Sequence, residues 1–301
     1  MTQPTGNLNQ WIDPAVLARL SNLQLIAKTV VEGFVTGLHR SPFHGFSVEF
    51  AEFRQYTPGD DIRGIDWNVF ARTDRYYIKK YEGETNASVH FLLDVSGSMG
   101  YASGRLTKLE YASYLVAALA YFASLQRDAV GLMTFDDKTV EYLPARTRAG
   151  HLLSLFRILE NSRPSQSTDF RKPLEHLAQL VRRKGVVVFI SDFYCDLQEM
   201  MRQVQFFRFR GNDVILFHVL DPFEIEFPFD KIAVLEDMET RRDLLVLPKA
   251  SRDEYLRRFG EHLETLKKLC HQSDLDYQLL DTSQPLDVAL ARYLHLRQQT
   301  K

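Results

Sequence analysis

Cysteine is nearly absent: the 301-residue chain has two, Cys195 and Cys270, far apart in sequence. Two such residues cannot build the disulfide framework of a small secreted domain, and they lack the CxxC spacing of a zinc site. Free thiols in a reducing compartment are expected. The nine histidines show no metal-ligand spacing, and His218, inside Ile215-Leu216-Phe217-His218-Val219-Leu220, is expected as a hydrogen-bonded core residue. No glycine-rich phosphate loop is present, which excludes a P-loop nucleotide engine. Charge of one sign is also lacking. With 37 basic and 39 acidic residues, net −2 and a pI near 6.5, no global attraction to nucleic acid or anionic membrane is expected.

Long hydrophobic runs are missing as well. The longest apolar segment, Tyr111 to Leu125, is bounded by Lys108, Glu110, Arg127 and Asp128. It falls short of the roughly 20 residues of a membrane span, so a core helix and no membrane span are expected. The opening Met1-Thr2-Gln3-Pro4 has neither a basic nor an apolar leader region, which points to a cytoplasmic protein.

What is present is a composition ordinary for a globular protein, 45% hydrophobic and 25% charged. The chain is organised around Phe91-Leu92-Leu93-Asp94-Val95-Ser96-Gly97-Ser98-Met99. An apolar run too short for a helix ends in an acid, hydroxyls and a glycine. This reads as a buried strand delivering oxygen ligands at its carboxyl end, where open α/β sheets keep their sites. Oxygen donors without nearby Cys or His suit a hard cation, Mg²⁺ before Mn²⁺ or Ca²⁺. By itself D-x-S-x-S is a weak pattern, and a serine-rich turn is the simpler alternative.

Upstream, Asp13-Pro14 predicts a helix to about Val31, with Leu17, Leu20 and Leu23 as its apolar stripe and Gly33, Gly37 and Ser41-Pro42 ending it. Residues 50–81 predict a small β-rich element. Its Arg54, Arg63, Arg72 and Arg75 lie among Asp60, Asp61, Asp66 and Asp74. A salt-bridged face is the simpler expectation there, an anion or partner site the alternative.

Downstream, strands are predicted at 129–135, 186–190, 214–220 and 276–280, and helices at 151–160, 171–183, 197–209 and 285–296. This alternation predicts an α/β fold with a doubly wound, mostly parallel sheet. Residues 232–247 read as an inserted hairpin, and Ser251-Arg252-Asp253-Glu254 as a capping box opening a helix with Cys270 on its core face. The expected division is 1–85 for the N-terminal helix and β-rich region and 86–301 for the α/β domain.

Tyr56-Thr57-Pro58-Gly59-Asp60-Asp61-Ile62-Arg63, then Ile65-Asp66-Trp67 and Ala71-Arg72, then Asp94-Val95-Ser96-Gly97-Ser98 together resemble the bacterial family catalogued as "domain of unknown function 58". That family carries a von Willebrand factor A-like domain. The resemblance implies a metal-ion-dependent adhesion site, whose family positions are filled here by Asp94, Ser96, Ser98, Thr168 and Asp192. Ser96 and Ser98 would bind directly, and Asp94 and Asp192 partly through water. Asp169, beside Thr168, is expected to cap the helix from Arg171 instead. Both aspartates end predicted strands, so parallel neighbours would bring them to one sheet edge.

The implied function is a non-enzymatic, Mg²⁺-dependent protein-interaction module whose partner offers a carboxylate to the ion. The resemblance further implies partnership with a MoxR-class AAA+ ATPase. It also raises a final helix, from Pro285 to about Leu296, that shifts when a partner coordinates the ion, against the simpler expectation of a helix that closes the core. The alternative function is a Mg²⁺-dependent phosphohydrolase of haloacid dehalogenase-like type. Ser96 stands where that chemistry wants a second aspartate, and Val95-Ser96-Gly97 lacks the elbow of a serine hydrolase.

Overall fold

The computed structural model describes residues 22–38, 52–55, 77–80, 87–148, 150–165, 169–181, 184–231, 233–236, 238, 243–246, 248–287 and 290–291. Six strands form the main sheet: β3 (Ser88–Asp94), β4 (Ala129–Phe135), β5 (Thr139–Arg146), β6 (Gly185–Ser191), β7 (Asp213–Leu220) and β10 (Asp276–Asp281). Their order is β10-β7-β6-β3-β4-β5. All neighbours are parallel except β4 and β5. Two short antiparallel pairs stand apart: β1 (Glu52–Gln55) with β2 (Tyr77–Lys80), and β8 (Ala233–Glu236) with β9 (Asp243–Val246).

Strands β3, β4, β6 and β7 are near-continuous apolar runs, buried from the second residue on. A sheet covered on both faces demands this, since alternate side chains enter different cores. Phe91 and Leu93 join one core with α1 (Leu23–Leu38), α2 (Lys108–Leu125) and α3 (His151–Asn161). Leu92, between them, joins the other with α4 (Arg171–Leu180), α5 (Leu197–Phe209) and α7 (Pro248–Gln272). Leu115 and Leu119 on α2 have no exposed surface, and each burial contributes about 1.5–3 kcal/mol before entropy is subtracted.

From β3 the chain runs first to β4 on one side, then to β6 on the other. The carboxyl ends of β3 and β6 therefore flank the point where the winding reverses, the usual crevice for a ligand in such sheets. Helix α2 is aimed at that edge by a capping box. Thr107 accepts from the Glu110 amide, and the Glu110 side chain accepts from the Thr107 amide, which fixes Lys108 at the first helical position.

Several elements depart from the sequence expectation. Helix α1 runs through Gly33 and Gly37 to Leu38 rather than stopping near Val31. Glycine costs a helix about 1 kcal/mol relative to alanine, less than is gained by burying Ile26, Val30 and Val31 against α2. Its cap is Asn22, whose side chain accepts from the amides of Gln24 and Leu25 at 2.8 and 3.3 Å; Asp13, Leu17 and Leu20 lie outside the described residues. Helix α4 ends at Leu180 because Val181 turns extended. Helix α7 begins at Pro248, putting Ser251 inside the helix rather than at its cap. Strand β5 and the short helix α6 (Pro222–Glu226) had no sequence expectation. Of the final helix, residues 287, 290 and 291 are described as helical, and Leu286 and Leu290 are buried in the first core. The Arg and Asp side chains of the β-rich region lie outside the described residues.

Both cysteines are free, with Cys270 buried. His218 is a core residue, its Nδ1 2.9 Å from the Tyr277 hydroxyl. Among the described residues, no helix is long and apolar enough to cross a membrane.

Candidate functional site

Asp94 ends β3 with no exposed surface. Its Oδ1 accepts the Ser96 amide at 2.8 Å and its Oδ2 the Ser191 hydroxyl at 2.6 Å. The Val95 amide still bonds to Phe135 O across the sheet, and then the chain tightens into a 3₁₀ turn over Gly97–Gly100. That turn sets the Ser96 and Ser98 hydroxyls 3.1 Å apart. Gly97 permits a close approach of two other segments. A Cβ there would lie 2.5 Å from the Met238 carbonyl oxygen and 2.9 Å from that of Ser165. Met238, between β8 and β9, thus presses on the turn from one side and Ser165, after α3, from the other. The Ser165 amide also bonds to Val95 O at 2.7 Å, while its own buried hydroxyl has no partner among the described residues.

Asp192 follows β6, the next strand of the sheet, and is 2% exposed. Its Oδ2 lies 2.7 Å from the ammonium of Lys108, which has no exposed surface and reaches Glu224 Oε1 at 2.6 Å. The Lys108 ammonium also stands 5.0 Å from the centre of the Tyr194 ring, a cation–π distance. On α6, Glu224 Oε2 accepts the Asp221 amide at 2.8 Å. Asp221 accepts both the amide and hydroxyl of Ser103, at 2.8 and 2.5 Å. One polar network thereby ties together the loops after β3, β6 and β7.

Charge is crowded here. Burial, and after it the charge of Asp192, pushes the Asp94 carboxyl up to about 7, against the opposing hydrogen bonds from Ser191 and Ser96. Burial works to lower Lys108, but Asp192 and Glu224 overcome it and hold the ammonium above its usual value. Glu224 is raised by burial, with Lys108 offsetting part of the rise. Burial, reinforced by Asp94 and Asp192, pushes the Cys195 thiol up to about 12, so it is no thiolate nucleophile.

The structure brings Asp94, Ser96, Ser98 and Asp192 to one edge as the sequence predicts. Thr168 lies outside the described residues. Asp169 accepts the Arg171 amide at 2.9 Å, but the N-cap position of that helix is Phe170, so Asp169 stands one residue before it. Among the described residues, no three His, Cys, Asp or Glu side chains are grouped as ligands, so an ion here would need the hydroxyls. Sequence reasoning missed Lys108, Ser191, Asp221 and Glu224. For Asp221 a signal existed: it follows the buried run Val214–Leu220 as Asp192 follows Val186–Ile190, and its Pro222 and Glu224 spell a capping box.

Fold and site together define an α/β protein with a buried, oxygen-rich acidic cluster at the switch point of a mostly parallel sheet. The chain belongs to the family described as "Protein of unknown function DUF58", whose profile matches residues 52–265. It is 28% identical over 255 residues to the uncharacterized protein Rv1480 of Mycobacterium tuberculosis, covering 83% of this chain and 80% of that one. The uncharacterized protein Mb1516 of Mycobacterium bovis matches to the same extent. Among solved structures it is similar to BatB from Bacteroides thetaiotaomicron, with TM-score 0.46, 16% identity, 71% of this chain and 99% of the other. An aerotolerance-related membrane protein from Bacteroides fragilis gives TM-score 0.47 and 18% identity, over 68% and 97% of the two chains.

Proposed function

We propose that this protein is a von Willebrand A-like, Mg²⁺-dependent protein-interaction module, not an enzyme, working with a MoxR-class AAA+ ATPase. The observation that carries the metal assignment is the 3.1 Å separation of the Ser96 and Ser98 hydroxyls. Adjacent ligands of an octahedral ion at about 2.1 Å stand about 3.0 Å apart, so the pair fits one edge of a Mg²⁺ shell. Asp94 and Asp192 supply the negative charge such an ion needs, and burial, then the charge of Asp192, raises the Asp94 carboxyl in its absence. Ser96 and Ser98 would hold the ion directly, Thr168 would add a third hydroxyl, and the two aspartates would act partly through water. When bound, the ion offers an open coordination position to a partner's carboxylate oxygen.

The ATPase partnership rests on the family resemblance together with the missing phosphate loop, which leaves nucleotide-driven work to another chain. The phosphohydrolase reading gains a lysine beside Asp192, but the ammonium of Lys108 already holds two carboxylates. The test is a pull-down from a bacterial lysate of the source type, with and without EDTA, using wild type and Ser96→Ala. Recovery of an AAA+ ATPase or client that is lost with EDTA and with Ser96→Ala is expected. Equal recovery in every arm would overturn the metal-bridged reading, and Asp94-dependent turnover of a phosphomonoester would overturn the non-enzymatic one.

A further inference from the structure

We infer that Lys108 is a built-in counter-cation that keeps the divalent-ion affinity of this site low in the free protein, so that firm loading requires the carboxylate of a bound partner. The inference rests on the metal reading above and concerns how that site is regulated.

Its basis is placement. The capping box of α2 fixes Lys108 in the first helical turn, beside the carboxyl ends of β3 and β6. Its side chain has no exposed surface, and its ammonium contacts Asp192 at 2.7 Å and Glu224 at 2.6 Å. A lysine so enclosed cannot swing into water to make way for another cation. Asp192 is one of only two carboxylates in the implied ligand set, and its Oδ2 is occupied by a positive charge already inside the protein. Lys108, Asp192 and Glu224 in their charged forms carry one net negative charge, and Asp94 adds a second once it ionises. Without Lys108, the same residues would present three. The ammonium thus weakens the local attraction for a divalent ion while repelling the ion directly.

A partner's carboxylate restores the missing negative charge and fills the open position at the same time. Ion and partner then bind with positive cooperativity, each strengthening the other by the same factor. The free module would be mostly unloaded, and it would close on the ion only when presented with an acidic side chain. A purely structural lysine has no such consequence: it would hold Asp192 in place, and its loss would leave buried carboxylates unpaired and the ion held less well.

The test measures Mn²⁺ binding, by calorimetry or by counting free Mn²⁺ by electron paramagnetic resonance, on the full chain at neutral pH. Lys108→Met is expected to bind Mn²⁺ at least tenfold more tightly than wild type. A structural role, in which the ammonium merely holds Asp192 in place, predicts weaker binding, and unchanged or weaker binding overturns the inference. If Lys108→Met does not fold, Glu224→Met is compared with the Glu224→Met/Lys108→Met double variant, where apolar groups replace the whole pair. Loss of the lysine must again tighten binding severalfold, and failure to do so overturns the inference. Ser96→Ala separates the two levels of the argument. Wild-type binding abolished by Ser96→Ala, with no gain on losing Lys108, sinks the counter-cation alone. No Mn²⁺ binding by any variant at millimolar concentration sinks the metal reading and the inference with it.

Discussion

Ser191, the last residue of β6, donates its hydroxyl to Asp94, the last residue of β3, across 2.6 Å of fully buried space. The bond joins the two central strands at the level of the site and stabilises the charged form of a carboxylate that burial would neutralise. It does not win: the Asp94 carboxyl still rises to about 7. That balance, and the contacts around it, give four tests.

The first concerns pH. A carboxylate whose folded value lies above its unfolded one binds protons more tightly in the native state, so stability falls as pH rises from about 4 to about 7. In metal-free protein, Asp94→Asn should remove this loss and raise stability at pH 8 by up to ~4 kcal/mol, from three units at 1.36 kcal/mol each. Chemical denaturation of both proteins at pH 5 and pH 8 measures it. A variant less stable than wild type at pH 8 would contradict the crowded-charge description.

Two buried histidines slope the other way. Burial lowers His90 to about 4 and His218 to about 3, so on acidification the unfolded chain takes up protons that the native state refuses. Stability should be full above about pH 6.5 and fall as pH drops from there toward 3. With Asp94→Asn removing the opposing slope, the midpoint of urea denaturation should climb between pH 4.5 and 6.5. A flat profile there would mean that these imidazoles titrate in the native protein.

Gly97→Ala tests the tight approach of three segments. A methyl group 2.5 Å from the Met238 oxygen and 2.9 Å from that of Ser165 forces backbone to move, at a typical overpacking cost of about 1–3 kcal/mol. Thermal unfolding reads the cost. Faster proteolysis between β8 and β9 than in wild type would show which segment gives way, and unchanged stability would mean the contact is loose.

Thr107→Ala removes the cap that starts α2 and should cost about 1 kcal/mol. Thr107→Ser, which keeps the hydroxyl, should restore most of it. Denaturant midpoints of the three proteins compare them directly, and equal loss in both variants would point to the methyl group rather than the hydrogen bond.

The sheet was legible because its strands are long, apolar and bounded by turn residues. Residues 129–135 and 197–209 match β4 and α5 to the residue. Strand β5 was not legible, because an edge strand with one half-exposed face offers no continuous apolar run, and Pro144 within it breaks the expected pattern. Helix α1 misled because glycine was weighed as a local terminator, while packing against α2 decided the outcome. At the site, Asp94 and Asp192 were singled out because they end buried apolar runs and also fill the family's positions, whereas Asp221 has the first signal without the second. Lys108 was not singled out. A lysine at the start of a helix reads as solvated, and only the folded chain brings it to carboxylates 84 and 116 residues further on.

That separation sets a clock. Synthesis proceeds at about 5–20 residues per second, so once Lys108 is made, the ribosome needs roughly 6–23 s to deliver Glu224, 116 positions later. Until Asp192 is made, 84 positions on, the β3–α2 unit carries a charge destined for a dry interior without either ion-pair partner, and until Glu224 it has only one. Helix α2 therefore cannot settle fully onto the sheet when its own sequence is complete. In the living cell this makes the polar network a late checkpoint of assembly, reached only after most of the chain has been made.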